Sequence, residues 1–449
     1  MDAKQLKEAF EKHGVRRVKV GGYDVDGILR GKYLALDKFW GALEEPIGFC
    51  DVVFGWDASD ALYDNARVTG WHTGYPDTRA RVDPSTFRVL PWEPDTAAFL
   101  LDFVNDDGSP HAACPRGLLR RVIAHARALG YEPTFGSEFE FFVFKETPAS
   151  LQAKRFRDLE PLSPGMFGYS WVRSGQNADL CHAILDDMER FGIPIEGLHT
   201  ETGPGVYEVA IKYGEALRAA DDAALFKTAM KQVTARLGTV VTFMAKHDHD
   251  LPGSSGHIHQ SLWKDGKNAF YDAAHVHKLS TAARHYLGGQ LALMPELTAL
   301  LSPTINSYKR YVPGVWAPLN ASWGVENRTC AIRAIPGSAK STRLEYRQTA
   351  ADINPYIAMA ATLAAGLWGI EQRREPPSPV EGDASGRGDL APLPRTLREA
   401  TDRLARSEHA RALLGEPFVD HYVRTRDWEC RQYERVVTGW ELARYFEAI

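Results

Sequence analysis

Cysteine is scarce in this chain. Five residues (Cys50, Cys114, Cys181, Cys330 and Cys430) are widely spaced, odd in number and form no CxxC pair, so neither a disulfide framework nor a cysteine-based zinc site is expected. A reducing cytoplasm fits that usage. There is no basic excess either: the net charge is −5 over 449 residues, which gives no support to a nucleic-acid partner. Long apolar runs are also missing. The longest uncharged stretch, Tyr356 to Ile370, is too short and too rich in Ala and Gly to span a bilayer and reads as a buried helix. The start, MDAKQLKEAFEKHG, is charged and amphipathic with no apolar stretch behind it, so neither a secretory signal nor a membrane partner is expected. No internal repeat, Walker P-loop or GxGxxG fingerprint occurs, and any nucleotide chemistry would lie outside the common nucleotide folds.

What is present is long enough for two or three domains with a large core. After a first helix, VRRVKVGGYDVDGILRGKYL alternates and turns at Asp26 and Gly27, a dipeptide suited to a type I′ hairpin. Short strands continue to about Asn105, and the turn cluster NDDGSP marks a boundary between residues 1–105 and 106–449. A helix is expected from Pro115, another near Asp179 to Phe191, and a long one carrying Leu225, Ala229, Val233 and Leu237 in one row. TVVTFMAKH and HIHQSLW read as strands, and Leu279 to Leu301 as a helix. Pro376 to Pro394 is rich in Pro, Gly and Ser and reads as an exposed loop. The residues beyond it look helical.

The chemistry gathers around GSEFEFFVF (Gly136 to Phe144). Its period of two places Glu138 and Glu140 on one strand face. Two neighbouring carboxylates repel, and burying them needs a divalent cation or arginines; the plainer alternative is a solvated acidic edge. Glu201 and Glu208 flank a Gly/Pro turn in HTETGPGVYEVAI. His257, His259 and Ser261 share a face in GHIHQSLW, and Arg343, Glu345 and Arg347 share one in STRLEYRQT. Arg328 and Arg333 accompany the basic pair Lys309 and Arg310. Singly, each segment also reads as a solvated or structural face. Together, five carboxylates and a histidine could hold two hard divalent ions, and the arginines suit phosphate and carboxylate recognition.

The motifs GSEFEFF, HTETGPGVYE, GHIHQSLW, NSYKRYVPG, ENRTCAIR and RLEYR, in this order, resemble those of the glutamine synthetase family. The resemblance implies an α+β fold: an N-terminal β-grasp domain plus a catalytic domain whose curved antiparallel sheet lines a two-metal site. It implies a homo-oligomer of two hexameric rings, a dodecamer, each site being completed by a neighbour's N-terminal domain. Magnesium or manganese, two to three ions per site, and ATP as co-substrate are implied with it. Carried over motif by motif, Glu140, Glu201 and Glu208 resemble the ligands of one metal, and Glu138, His257 and Glu345 those of the other. His259, Ser261, Arg333 and Arg343 resemble ATP-contacting positions. Gly253, Arg310 and Arg347 resemble the glutamate-binding positions, and Arg328 the residue that steadies the transferred phosphoryl group.

One departure bears on the substrate. Where the family continues VPG, an aromatic, Glu, Ala, Pro, this chain reads VPGVWAP, with Trp316 at the position of the flap glutamate that handles ammonium. The acidic residue that activates the amine is also displaced; Asp57 is the first candidate, with Asp60 and Asp64 as alternatives. The resemblance with these changes implies a ligase joining glutamate to an organic primary amine through an acyl phosphate. An ordinary glutamine synthetase, an inactive structural member and a phosphagen-type kinase are the other readings. No tyrosine lies between Pro376 and Pro394, so regulation by adenylylation is not expected.

Overall fold

Alternating residues interrupted by turns build a first sheet from the N-terminal part of the chain. In the computed structural model, which describes residues 1–449, helix α1 (Ala3–His13) begins with an Asp2–Gln5 capping box and ends at Gly14, φ +61°. Strands β1 (Arg17–Tyr23) and β2 (Leu29–Leu34), helix α2 (Leu36–Ala42), and strands β3 (Ile47–Cys50), β4 (Asp77–Val82), β5 (Arg88–Val89) and β6 (Thr96–Val104) follow. Their order is β2-β1-β6-β4-β3 with β5 beside β6, and β1 and β6 run parallel.

The β1–β2 turn differs from the expected type I′. Only Gly27 (φ +78°) is left-handed. The Asp24 amide donates to the Ile28 carbonyl and the Gly27 amide to the Asp24 carbonyl, both at 3.1 Å, so a type I turn followed by a left-handed glycine closes the hairpin. Asp24 is the reason: its carboxylate accepts from the amides of Asp26 and Ile28 at 3.0 and 2.9 Å, which holds the longer loop.

Helix α3 (Pro115–Ala128) leads into β7 (Glu132–Phe144), then α4 (Pro148–Ala153), α5 (Trp171–Gln176), α6 (Ala178–Arg190), β8 (Ile195–Thr200), β9 (Val206–Glu215) and α7 (Ala216–Arg236). Next come β10 (Val240–Thr242), β11 (Gly256–Lys264), β12 (Lys267–Asn268), α8 (Thr281–Leu301), β13 (Trp323–Val325), β14 (Ile332–Ile335) and β15 (Arg343–Tyr346). The chain ends with helices α9 (Pro355–Glu371), α10 (Leu397–Arg406), α11 (Glu408–Leu414), α12 (Glu416–Glu434) and α13 (Gly439–Tyr445). The second sheet has the order β13-β14-β15-β11-β7-β9-β8, with β10 on β7 and β12 on β11.

The odd-numbered residues of β7 explain which face is covered. Phe139 and Phe141 are fully buried and pack against Phe226 of α7 and Phe243. Phe142 falls on the opposite face with the glutamates, where His247 caps it at 4.0 Å between ring centroids. The expected buried helix is α9, and it meets α8 so closely that a Cβ on Gly289 or Gly369 would overlap the other's backbone. Of TVVTFMAKH, only Val240–Thr242 is strand; Asn306 diverts the chain by accepting from the Lys246 amide (2.8 Å) and donating to its carbonyl (2.7 Å). Leu237 is the cap of α7, half exposed rather than in the buried row.

Residues 376–394 form neither helix nor strand, yet they are not simply exposed. Val380, Ala384 and Leu393 are buried. Asn327 Nδ2 donates to the carbonyls of Val380 and Gly382 (3.0 and 2.8 Å), Asn320 to that of Ala384 (2.8 Å), and the Trp323 indole to that of Pro377 (2.8 Å). Side-chain amides therefore supply the pairing that proline-rich backbone cannot.

Arg116 joins the two sheets. Its buried guanidinium donates to Asp221 of α7 (2.8 and 2.9 Å), Asp102 of β6 (2.7 Å) and Asp83 (2.8 Å), while Tyr356 of α9 donates to the same Asp221 (2.7 Å). Arg116→Ala would leave the buried Asp221 without its cation, while Arg120 would still hold Asp83 and Asp102, and we expect chemical unfolding to show a loss of about 3–5 kcal/mol. A second expectation concerns pH. His421 of α12 is fully buried with both ring nitrogens unpartnered, and burial, aided by His111 and Arg426, lowers its pKa to about 4. The unfolded histidine takes up a proton near 6.5 that the folded one refuses, so this contribution to stability is lost as pH falls from about 6.5 to about 4. The loss is about 3 kcal/mol, and His421→Phe should remove that part of the pH slope.

Candidate active site

Cross-strand register assembles the polar face. Glu140 of β7 stands opposite Glu208 of β9, which stands opposite His199 of β8. One pleat further, Glu138 is opposite His257 of β11. His259 is opposite Glu345 of β15, and Glu345 is opposite Arg333 of β14. Directly opposed residues on adjacent strands point to the same side, so six strands deliver carboxylates, imidazoles and a guanidinium to one surface.

Two clusters result. In the first, Glu138 Oε1 lies 2.9 Å from His257 Nδ1 and 3.2 Å from His259 Nε2, and His257 Nδ1 lies 3.4 Å from Glu345. Arg333 Nη1 donates to Glu345 at 3.0 Å and Arg347 pairs with the same carboxylate. In the second, His199 Nε2 lies 3.1 Å from Glu208 and its Nδ1 3.6 Å from Glu201. Glu140 sits between the clusters, where its Oε2 accepts the Ser255 amide at 2.6 Å. His199 was not among the expected residues, although its i, i+2 spacing to Glu201 in HTET carried the signal.

The titration behaviour differs across the face. Burial would raise Glu138, but the imidazoles of His259 and His257 outweigh it and hold the carboxyl well below its ordinary range. Glu345 is likewise lowered, because His257 and Arg347 overcome its burial. Burial pushes Glu140 up, with the Ser255 amide and Arg310 opposing and Glu201 adding repulsion. Burial also raises Glu208 against its bond to His199, and Glu138 and Glu140 add to the rise. His257 is lowered by burial and then by Arg347, which favours the neutral imidazole that can act as a ligand. Its Nε2 is buried without a hydrogen-bond partner. Convergent carboxylate oxygens, raised carboxyl groups and an orphaned imidazole nitrogen fit hard divalent cations.

A cavity of about 390 Å³ opens beside the first cluster, with Glu138, His259, Ser261 and Arg343 in its wall. Arg343 Nε reaches His259 Nδ1 at 3.2 Å, and Ser261 Oγ accepts the Trp263 indole at 3.1 Å. Glu196, Tyr213 and Lys340 also line it; they come from distant segments and had no motif to announce them. Arg310 is buried, donating to the carbonyls of Gln348 (3.0 Å) and Arg347 (3.2 Å), and a Cβ on Gly253 would strike its side chain. Trp316 (72% exposed) and Arg328 line a separate, wide depression of about 660 Å³ together with His277, Val325, Pro379 and Val380. Trp316 holds φ +27°, a rare conformation for a bulky residue. Asp57 is not brought to these clusters: its carboxylate accepts from the amides of Ser59 and Ala61 and from the Trp428 indole (2.8, 3.0 and 2.9 Å). Asp60 pairs with Arg30 and Asp64 with Arg431.

The catalytic-domain model of the glutamine synthetase family matches residues 112–445. The chain is 49% identical to type-1 glutamine synthetase 2 of Dictyostelium discoideum over 96% of its length and 84% of the relative's. It is 38% identical to glutamate–isopropylamine ligase of a Pseudomonas species, over 99% and 98% of the two chains. A solved structure of GmaS in complex with ADP superposes with a TM-score of 0.85 at 28% identity, covering 98% of this chain and 99% of that one. A mixed fold with this curved sheet and acidic face defines an ATP-dependent carbon–nitrogen ligase. The chain belongs to the glutamine synthetase family. No helix is long and apolar enough to cross a membrane.

The orphaned Nε2 and the His199–Glu201–Glu208 grouping generate an expectation. Manganese titrated into the enzyme by calorimetry should bind on the order of 10- to 100-fold more weakly to His199→Ala, as for loss of a group that orients metal ligands.

Proposed function

We propose that the protein joins the γ-carboxylate of L-glutamate to an organic primary amine, giving a γ-glutamylamide, ADP and phosphate. The observation that carries this is Trp316. It stands where the family's flap glutamate handles ammonium, and an indole neither accepts a proton nor attracts a small cation. It borders the same depression as Arg328, where Val325, Pro379 and Val380 stand among mainly polar residues that include Glu326 and Glu381, and its exposed indole offers an apolar surface to a carbon substituent. The names of the isopropylamine ligase and of GmaS agree with an amine branch.

In this reading Glu138, His257 and Glu345 hold one magnesium or manganese ion and Glu140, Glu201 and Glu208 another, with His199 orienting the last two. The ions supply neutralisation of phosphate charge. His259, Ser261, Arg333 and Arg343 bind ATP, and Arg310 and Arg347 bind glutamate beside Gly253. A carboxylate oxygen of glutamate attacks the γ-phosphorus and ADP departs, leaving an acyl phosphate that Arg328 steadies. The amine nitrogen then attacks the acyl carbon, phosphate leaves, and the nitrogen gives up a proton. Asp57 lies on the N-terminal sheet's loop away from its own chain's clusters, so as a base it would serve the site of a neighbouring copy in a dodecamer of two hexameric rings.

The second reading is an ordinary glutamine synthetase, favoured by the 49% identity to a relative of that name. Phosphate release with glutamate, ATP and magnesium across ammonia, methylamine, isopropylamine, ethanolamine, putrescine and aniline separates the two. We expect one organic amine to exceed ammonia in kcat/KM, and Trp316→Glu to shift that ratio toward ammonia by about tenfold or more. Preference for ammonia in the unaltered enzyme would establish the second reading.

A further inference from the structure

Arg310 is buried at the end of a short 3-10 turn, Asn306–Arg310. Two of its five N–H groups are taken by the carbonyls of Gln348 and Arg347, which leaves three for a ligand. Where those three point depends on where the turn is held. A 3-10 turn has poor internal hydrogen-bond geometry and does little to fix its own position. It needs ties from outside.

Asn306 supplies one of them, to the Lys246 backbone; Asp352 supplies the others. At the entry of the turn the Thr304 amide donates to Ser307 Oγ (3.1 Å) and the Ser307 amide to Thr304 Oγ1 (3.0 Å). Both hydroxyls thus accept from backbone, and their own protons need a destination. A single oxygen, Oδ2 of Asp352, accepts both, at 2.8 Å from Thr304 and 2.7 Å from Ser307. Its other oxygen, Oδ1, is buried with no partner, so the side chain acts entirely through this one atom. The backbone around Asp352 is itself held on both sides. The Ala351 amide donates to the Ser254 carbonyl (3.1 Å), Lys227 Nζ of α7 to the Ile353 carbonyl (2.8 Å), and Asn354 Nδ2 to the carbonyls of Asp24 and Val25 (3.0 and 3.3 Å).

We propose that Asp352 is a positioning residue for the acid substrate: by taking both hydroxyl protons it holds Thr304 and Ser307, and through them the turn that aims Arg310. The inference rests on the reading of Arg310 as glutamate-binding, which amine-dependent and ammonia-dependent turnover share. The role asks for an acceptor oxygen, not for a negative charge.

Steady-state phosphate release at varied glutamate, with ATP and the best amine of the panel saturating, tests it. Asp352→Ala should raise KM for glutamate about tenfold or more, with KM for ATP within about twofold and kcat lowered less than about threefold. Asp352→Asn, whose amide oxygen accepts both hydroxyls, should return KM to within about threefold of the unaltered enzyme. Thr304→Val together with Ser307→Ala should reproduce the rise. Adding Asp352→Ala to that pair should change KM by no more than about twofold, because the same bonds are already gone. If Asp352→Ala does not fold, the Thr304→Val and Ser307→Ala pair carries the expectation alone. Arg310→Lys separates the inference from the reading beneath it, and should by itself raise KM for glutamate about tenfold or more. A normal KM in Arg310→Lys would remove the glutamate role of Arg310 and the inference with it. A raised KM there overturns the inference alone if Asp352→Ala or the hydroxyl pair keeps a normal KM, if Asp352→Asn is as impaired as Asp352→Ala, or if the effects add. A lower melting temperature without the change in KM would mark Asp352 as structural only.

Discussion

Mutual repulsion among carboxylates is the constraint around which the catalytic half of this protein is arranged. Glu138, Glu140, Glu201, Glu208 and Glu345 are gathered on one side of a single sheet, with Glu345 almost completely buried. Such a face survives only if cations are interleaved with it. The register does this strand by strand: imidazoles stand opposite Glu138, Glu208 and Glu345, and guanidiniums flank Glu345. Glu140 has no such cross-strand cation and relies on the Ser255 amide and the more distant Arg310. The carboxyls with the least compensation are pushed up, and those with the most are pulled down.

The apolar side of the same strands makes this possible. Phe139 and Phe141 anchor β7 to α7, and Ile258, Leu344 and Tyr346 continue the buried face across β11 and β15. A slip of one residue would turn Phe139 and Phe141 out of the core and send Glu138 and Glu140 into it. The burial that fixes the fold therefore also fixes the spacing of the polar groups, and neither can drift alone.

Much of this was legible because period two is a local property. Glu138 with Glu140, His257 with His259, and Arg343 with Glu345 and Arg347 could be placed on shared faces from spacing alone. Family resemblance, not spacing, was needed to bring the segments together, since long-range register leaves no mark in a single strand. His199 was legible and passed over. Glu196, Tyr213 and Lys340 were not, for each enters the cavity from an unremarkable context. The hairpin at Asp24 and the proline-rich strap show a different limit: in both, side-chain hydrogen bonds to backbone overrode what the turn-forming residues alone favoured.

Arg310 carries a consequence of its own. Its guanidinium is spent on the carbonyls of Gln348 and Arg347, immediately beyond β15, while Arg347 in turn holds Glu345. Arg310 is thus tied through backbone to the strand that supplies Glu345 to the acidic cluster. The two ends of the site therefore share one continuous run of hydrogen bonds and backbone.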